Sequence, residues 1–204
     1  MRPEQEPPFA AGRPLVRRAL AWAARQHRGQ NRAVDDAPFV LHPVEVAALL
    51  SARGCDEEVI AAVVLHDVVE QTDARIADVR DRFGDRVARI VAAVTEDESI
   101  DDYAERKAAL REQVAGAGRD AHAVYAADKL AKTRELRAQA AVDGSADEEA
   151  LDRRLEHYEQ SLRMLQTVAA DLPPVHQLAF ELWAIRRLPP RGHGAWRERA
   201  GHAA

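Results

Sequence analysis

The sequence predicts an all-α fold, a single domain of about eight to ten helices, and three observations lead to this prediction. Ala, Leu, Val, Arg and Glu are abundant, whereas aromatic residues make up only 5% of the 204 residues. This composition favours helices over sheets. Apolar residues recur at helical spacing along most of the chain, and no stretch alternates as a half-buried strand would.

Helix-start and helix-stop signals divide this pattern into elements. Pro14 suits the first turn of a helix, Asp56 can cap another, and Gly54 and Gly84 can end the helices before them. The predicted helices cover residues 14–27, 43–52, 57–71, 74–83, 86–95, 101–114, 119–140, 146–170 and 173–188. We therefore expect a flexible tail at 1–12, a domain at 13–188 and a second tail at 189–204.

Charge and cysteine content limit the classes of function. The formal net charge of −5 argues against a general nucleic-acid binder, although it allows a local basic pocket. Cys55 is the only cysteine, so no internal disulfide can form and a reducing compartment fits. No apolar run has the length of a signal peptide core or a membrane span. These features predict a cytoplasmic protein without a membrane partner, and they do not distinguish a monomer from a homo-oligomer.

The stretch VVLHDVVEQT, residues 63–72, places polar side chains in a segment that should be buried. Apolar residues surround His66 and Asp67, and a helix that is apolar on nearly every side belongs in the core. Buried Asp and Glu are rare unless they are paired or bind a metal. Glu70 lies four residues after His66 and three after Asp67, so on a helix it shares their face. The pattern predicts a buried group of one imidazole and two carboxylates.

Two other segments repeat this combination of an apolar setting and a metal-binding side chain. Asp128 lies within HAVYAADKL, and His42 comes just before an apolar helix in FVLHPVEV. Taken singly, a buried His is more often a hydrogen-bonded core residue, and a helical Asp more often pairs with Arg. Together with His66 and Asp67 they make a mixed N/O donor set, which suits Mn²⁺, Fe²⁺ or Zn²⁺ better than Ca²⁺. A purely structural role is the weaker hypothesis, because all-α scaffolds seldom bury so many polar groups in one place.

A His, then His-Asp, then Asp within an all-α chain resembles the HD-domain metal-dependent phosphohydrolases. The resemblance is closer to the hydrolase domain of the RelA/SpoT-type (p)ppGpp enzymes and their small stand-alone relatives. The matching phrases are HRGQNR (27–32), PFVLHPVEVAALL (38–50), AAVVLHDVVEQT (61–72), FGDRVARIVAAVTED (83–97), AERK (104–107) and ADKLAKTREL (127–136). The resemblance implies removal of the 3′-pyrophosphate of (p)ppGpp by water, and no second catalytic module is visible.

The resemblance also implies roles for single residues. The implied metal ligands are His42, His66, Asp67 and Asp128, with Mn²⁺ as the expected ion. Glu70 would help to activate water, and Gln71 stands beside it. Six residues are implied in substrate binding: Arg32, which would stack on the nucleobase, and Lys107, Lys129, Lys132, Arg154 and Tyr158 around the nucleotide and its phosphates. With His27 and Arg28, the cations among them predict a local basic patch.

Several positions depart from the family pattern. Active relatives usually have Glu-Asp where this chain has Glu70-Gln71, and Gln is neither an acid nor a base. Lys132 replaces a usual Asn and adds a positive charge near the metal, Ala33 replaces a basic residue and Phe39 replaces a Tyr. Three hypotheses stay open: slow hydrolysis of (p)ppGpp, a shift to another phosphorylated nucleotide such as NADPH, and nucleotide binding without turnover by a regulator. We expect an active phosphohydrolase, because four buried ligands would be costly without a metal.

Overall fold

The structure, a computed structural model, describes residues 6–33, 35–142 and 148–187. Within these residues the regular structure is helical, apart from one isolated bridge between Asn31 and Pro38. A 3₁₀ turn at Pro8–Ala10 comes first. The α-helices follow as α1 (Pro14–Gln26), α2 (Leu41–Ser51), α3 (Glu57–Leu65), α4 (Val68–Gln71), α5 (Ile76–Phe83), α6 (Asp85–Val94), α7 (Tyr103–Gly116), α8 (Arg119–Val142), α9 (Glu148–Val168) and α10 (Pro173–Arg187). The predicted all-α fold is confirmed.

The chain divides into two compact units, residues 1–128 and 129–204. The core of the first unit is built around α3, which packs against α1, α2 and α6. Residues 59–65 of α3 are all at most 3% exposed. This follows from their composition, since Val, Ile, Ala and Leu fill every position and leave no polar face for solvent.

The second unit contains α9, α10 and the remainder of α8, and α9 packs against α10. Leu155, Tyr158 and Leu165 form the buried stripe of α9 at helical spacing. Buried Glu181 of α10 accepts a hydrogen bond on Oε1 from Arg134 Nε at 3.0 Å, and its Oε2 forms an ion pair with Arg137 Nε at 3.1 Å. Its charge is therefore compensated.

The described residues near each end of the chain can be compared with the predicted domain limits at residues 13 and 188. Residues 1–5 and the second predicted tail at 189–204 lie outside the described residues. Ala10 is fully buried, so packing begins ahead of the predicted limit at residue 12. The single domain predicted over 13–188 stays a prediction. Within the described residues, no helix has both the length and the apolar character that a bilayer crossing requires.

The helix predicted over residues 57–71 is interrupted, and in this respect the prediction was wrong. Helix α3 ends at Leu65 and the short α4 begins at Val68. At the break, the His66 N–H donates to the carbonyl of Val63 at 3.3 Å, a tighter turn than an α-helix makes. Apolar residues continue on both sides of the break, which is why periodicity alone does not reveal it. The turn lets His66 and Asp67 point to one place, whereas neighbours on a regular helix diverge by about 100°.

The start of α1 is capped by a residue from another helix. Arg13 precedes α1 without a capping side chain, and Pro14 lacks an N–H. Glu57, the first residue of α3, accepts hydrogen bonds on Oε1 from the backbone N–H groups of Leu15 at 2.5 Å and Val16 at 3.4 Å. This contact fixes α1 against α3 and satisfies donors that a helix start leaves unpaired.

Glu57→Ala should lower the free energy of unfolding by about 1 kcal/mol, the usual cost of a lost helix cap. Glu57→Gln keeps an acceptor oxygen and should retain most of the stability. Urea unfolding of the two variants and the parent protein measures both effects. Equal losses in the two variants would show that the negative charge, and not the acceptor, stabilises the start of α1.

Candidate metal centre

Four buried side chains meet in the first unit, from the start of one helix, the break between two others and the middle of a fourth. His42 lies in the first turn of α2, His66 and Asp67 form the break between α3 and α4, and Asp128 belongs to α8. All four are at most 4% exposed. The structure therefore brings together the four residues that the sequence singles out as metal ligands.

The four terminal atoms have the spacing of ligands around one ion. His42 Nε2 lies 3.1 Å from Asp128 Oδ1 and 3.5 Å from Asp67 Oδ2. His66 Nε2 lies 3.3 Å from Asp128 Oδ1 and 3.1 Å from Asp67 Oδ2. Two ligand atoms about 2.1 Å from a shared ion and about 90 to 110° apart are separated by about 3.0 to 3.4 Å. Three of the four observed distances fall in this range, and the His42–Asp67 distance of 3.5 Å lies just above it.

The tautomer of His66 is fixed by the backbone. Its Nδ1 lies 2.7 Å from the carbonyl oxygen of Val63, and a carbonyl can only accept, so Nδ1 donates. In the neutral ring Nε2 then presents a lone pair to the oxygens of Asp67 and Asp128. Lone pairs that face each other in a buried place need a cation or a proton between them. A ring nitrogen held by a backbone carbonyl is also the usual support of a metal-binding His.

The charge of the group leads to the same conclusion. With both imidazoles neutral, Asp67 and Asp128 place two negative charges in a buried site, which is costly unless they are compensated. A divalent cation would neutralise both charges. Two nitrogen and two carboxylate donors fit Mn²⁺, Fe²⁺ or Zn²⁺ better than Ca²⁺, which takes six to eight oxygens. The residues present therefore fit a bound divalent metal.

Glu70 and Gln71 lie at the end of α4 and differ in their surroundings. Glu70 is half-buried, and its Oε1 accepts from the backbone N–H of Glu96 at 2.6 Å. The side chain of Gln71 is exposed, whereas its backbone carbonyl accepts from Gln30 Nε2 at 2.6 Å. The structure thus fixes the carboxylate of Glu70, but it fixes only the main chain of Gln71.

Arg32 is held by carboxylates along the edge of its guanidinium. Its Nε and Nη2 bind Asp35, and its Nη1 lies 3.1 Å from both oxygens of Glu45. The hydrogen bond to Asp35 raises the pKa of Arg32, so the group stays cationic. Asp35 and Glu45 therefore engage the N–H edge of the Arg32 guanidinium.

The basic patch predicted from the sequence is not formed as expected in the first unit. His27 is only 3% exposed, and burial lowers the pKa of its imidazole, so the ring is neutral near pH 7. Lys107 and Arg106 both pair with Glu96, so a single carboxylate is shared between two cations. Glu96 could not be identified from the sequence, because its contacts are tertiary and no local pattern marks it.

The remaining predicted substrate residues belong to the second unit. Lys129 and Tyr158 are 5% and 8% exposed, and Lys129 Nζ lies 6.0 Å from the centre of the Tyr158 ring, a cation–π contact. Lys132 is half-buried on α8 and Arg154 is exposed on α9. Arg154 and Tyr158 are one turn apart, as expected, but one is exposed and the other is buried.

Comparisons with known proteins agree with this reading of the site. The family model described as HD domain matches residues 19–152. The guanosine-3′,5′-bis(diphosphate) 3′-pyrophosphohydrolase MESH1 of Drosophila melanogaster is 41% identical over 120 residues, which are 57% of this chain and 66% of that protein. The human MESH1 is 38% identical over 121 residues, or 58% of this chain and 67% of that protein. The match therefore spans about two thirds of the length of these curated relatives.

Two solved structures resemble most of this chain. The structure of a metazoan ortholog of SpoT that hydrolyses ppGpp superposes with a TM-score of 0.72 at 31% identity, covering 86% of this chain and 97% of that chain. A protein from Listeria monocytogenes EGD-e gives a TM-score of 0.64 at 29% identity, covering 72% of this chain and 99% of that one.

The geometry predicts one divalent ion per chain and a stability that depends on it. At a metal concentration of 100 times Kd, binding should add about 2.7 kcal/mol and raise Tm by about 5 to 10 °C. His66→Ala should abolish both the binding and the shift, whereas the exposed control His176→Ala should keep them. Titration calorimetry and thermal unfolding measure the two effects.

Asp128→Asn gives the sharper test, because its effect should change sign with the metal. Without metal it removes one of two buried negative charges and should raise Tm, whereas with metal it should abolish the added stability. A variant that loses stability without metal and still binds the ion would contradict the assignment of Asp128.

Proposed function

The chain belongs to the HD domain family, and from this premise we propose that it is a metal-dependent (p)ppGpp 3′-pyrophosphohydrolase. One observation carries the proposal: two buried histidine nitrogens each lie 3.1 to 3.5 Å from the oxygens of two buried aspartates, in a chain whose relatives are named for this reaction. Expected products are pyrophosphate and a guanine nucleotide with a regenerated 3′-hydroxyl.

The reaction exchanges one phosphorus–oxygen bond for another. The oxygen of water joins the phosphorus next to the ribose, and the bond from that phosphorus to the ribose 3′-oxygen breaks. One water proton ends on the 3′-oxygen, and the other leaves with pyrophosphate or with a base. When bound, a divalent cation at His42, His66, Asp67 and Asp128 lowers the pKa of water and offsets charge on the phosphate under attack.

Glu70 is the best candidate for the group that takes the water proton. It follows the ligand pair His66 and Asp67 by one helical turn, and the N–H of Glu96 holds its Oε1. A carboxylate fixed in this way can accept a proton without first having to be oriented. Gln71 cannot share this role, because an amide does not act as a base at any working pH.

Arg32 is suited to the nucleobase and not to the phosphates. Asp35 and Glu45 occupy its N–H edge, which is the part that would fork onto a phosphate. Its planar face can stack on a purine ring, a contact that Arg makes well. In our proposal Lys107 reaches a phosphate only by leaving Glu96, while Lys129, Lys132, Arg154 and Tyr158 provide the other contacts to the nucleotide.

A second candidate function is favoured by Gln71, whose side chain is exposed. Because it replaces the second carboxylate of active relatives, the chain could act on another phosphorylated nucleotide, such as NADPH, or bind a nucleotide without turnover. Lys132 would then meet an additional phosphate.

Within the first proposal, Mn²⁺ is the preferred ion. The cytoplasmic location and the lack of nucleic-acid binding stay predictions of the sequence.

The activity test is release of pyrophosphate from ppGpp with Mn²⁺, alongside pppGpp, NADPH and deoxynucleoside triphosphates. We expect turnover of ppGpp and pppGpp. Glu70→Gln should lower kcat by about 10²- to 10⁴-fold, the usual contribution of a general base, while metal affinity stays unchanged. Gln71→Asp, which restores a second carboxylate, should raise kcat.

Each alternative predicts a different pattern in the same assay. Release of phosphate from NADPH alone would assign Gln71 and Lys132 to a changed substrate specificity. Metal and nucleotide binding without any turnover, in both the parent protein and Gln71→Asp, would identify a regulator and end the hydrolase proposal.

A further inference from the structure

A second buried imidazole, His27, lies beside the candidate metal centre and is not one of its four ligands. It follows α1 directly and is only 3% exposed. Its Nε2 is fully buried and has no hydrogen-bond partner among the described residues. A buried polar atom of this kind costs stability unless something pairs with it, so it calls for an explanation.

The other ring nitrogen shows what Nε2 must do. His27 Nδ1 lies 2.7 Å from Gln30 Oε1, and the Nε2 of the same Gln30 amide donates to the carbonyl of Gln71 at 2.6 Å. The second bond fixes the orientation of the amide, so Oε1 is the acceptor and His27 Nδ1 must donate. In a neutral ring, Nε2 is then an acceptor with a buried lone pair.

The position of the ring determines which donor can reach this lone pair. The ring of Phe39 lies 4.8 Å from that of His27 and 6.1 Å from that of His42, measured between ring centres. Phe39 therefore lies beside both imidazoles, which places the ring of His27 in the neighbourhood of the ligand His42. Within the part of the chain that the structure describes, no side-chain donor bonds to Nε2, whereas water can enter a polar site beside a cation.

We propose that His27 Nε2 accepts a hydrogen bond from a water molecule at the metal centre and so orients that water. The proposal rests on the metal centre of the proposed function. Gln30 supports the ring and connects it to the main chain of Gln71, so α1, α4 and the water are held in one chain of hydrogen bonds. This series of hydrogen bonds provides an acceptor, His27 Nε2, in a site where Gln71 replaces the usual carboxylate.

The first experiment reads the ring nitrogens directly, without any activity. Long-range ¹H–¹⁵N spectra of the full chain labelled with [¹⁵N]histidine, recorded with and without Zn²⁺ as a diamagnetic ion, report the state of each imidazole. His27 should carry its proton on Nδ1 in both states. Zn²⁺ should give a large coordination shift at Nε2 of His42 and His66, and a small shift at Nε2 of His27. His122, whose Nε2 donates to the carbonyl of Ala115 at 3.3 Å, is an internal reference for the opposite tautomer.

The second experiment separates the two ring nitrogens by substitution. The amide of Gln can replace Nε2 and that of Asn can replace Nδ1, whereas Phe keeps only the ring. His27→Phe and His27→Asn should lower kcat by about 10- to 100-fold, as loss of an outer partner of a metal site usually does. His27→Gln should recover much of the loss. KM and the metal affinity measured by calorimetry should stay unchanged in all three variants, because in this proposal His27 binds neither the ion nor the nucleotide directly.

The outcomes distinguish the proposal from its competitors. A proton on Nε2 of His27, or a coordination shift there as large as at His42, would overturn it. Recovery by Asn and not by Gln would assign His27 a purely structural bond to Gln30 and would also overturn it. If His42 and His66 do not respond to the metal at all, the metal centre and the proposed function fail together. If the nitrogens behave as expected but no nucleotide is turned over, only the proposed reaction fails.

Discussion

Two buried carboxylates and two buried imidazoles, whose four His–Asp atom pairs lie 3.1 to 3.5 Å apart, set the main constraint on this fold. The chain directs the lone pair of His66 Nε2 at two carboxylates, because the carbonyl of Val63 holds the proton on the other nitrogen. Such a group destabilises the fold unless a cation fills it. The contacts around this group hold the ligand His66 in place, and they also hold Glu70 and His27 beside it.

The supports of the site are contacts between elements that are distant in sequence. Glu57 fixes the start of α1 against α3, and α1 leads to His27. Gln30 then connects His27 to the carbonyl of Gln71, while the N–H of Glu96 holds Glu70. Both ends of the short α4 are therefore defined, by the ligand pair at its start and by these two contacts at its end. A site built in this way can orient water with little rearrangement, which is where much of an enzyme's advantage comes from.

The sequence was sufficient for the helical class and for the membership of the buried group, because both rest on local signals. Apolar periodicity marks α1 and α6, and His66, Asp67 and Asp128 stand out against apolar neighbours. The break between α3 and α4 could not be predicted, since apolar residues continue through it. The partners Glu96, Glu45 and Gln30 were missed for another reason: their roles arise from tertiary contacts that leave no periodic trace. The basic patch was overestimated because charge was counted without the burial of His27 or the pairing of Lys107 with Glu96.

An anomalous-diffraction map directly tests whether the four buried residues bind a metal ion. The crystals are grown with Mn²⁺, and data are collected on both sides of the metal absorption edge. A metal site formed by the four ligands predicts one strong peak per chain about 2.0 to 2.2 Å from His42 Nε2, His66 Nε2, Asp67 Oδ2 and Asp128 Oδ1. The same crystals should show Glu70 and His27 outside the ligand distance. A peak elsewhere, or no peak at saturating Mn²⁺, would contradict a metal site formed by these four residues.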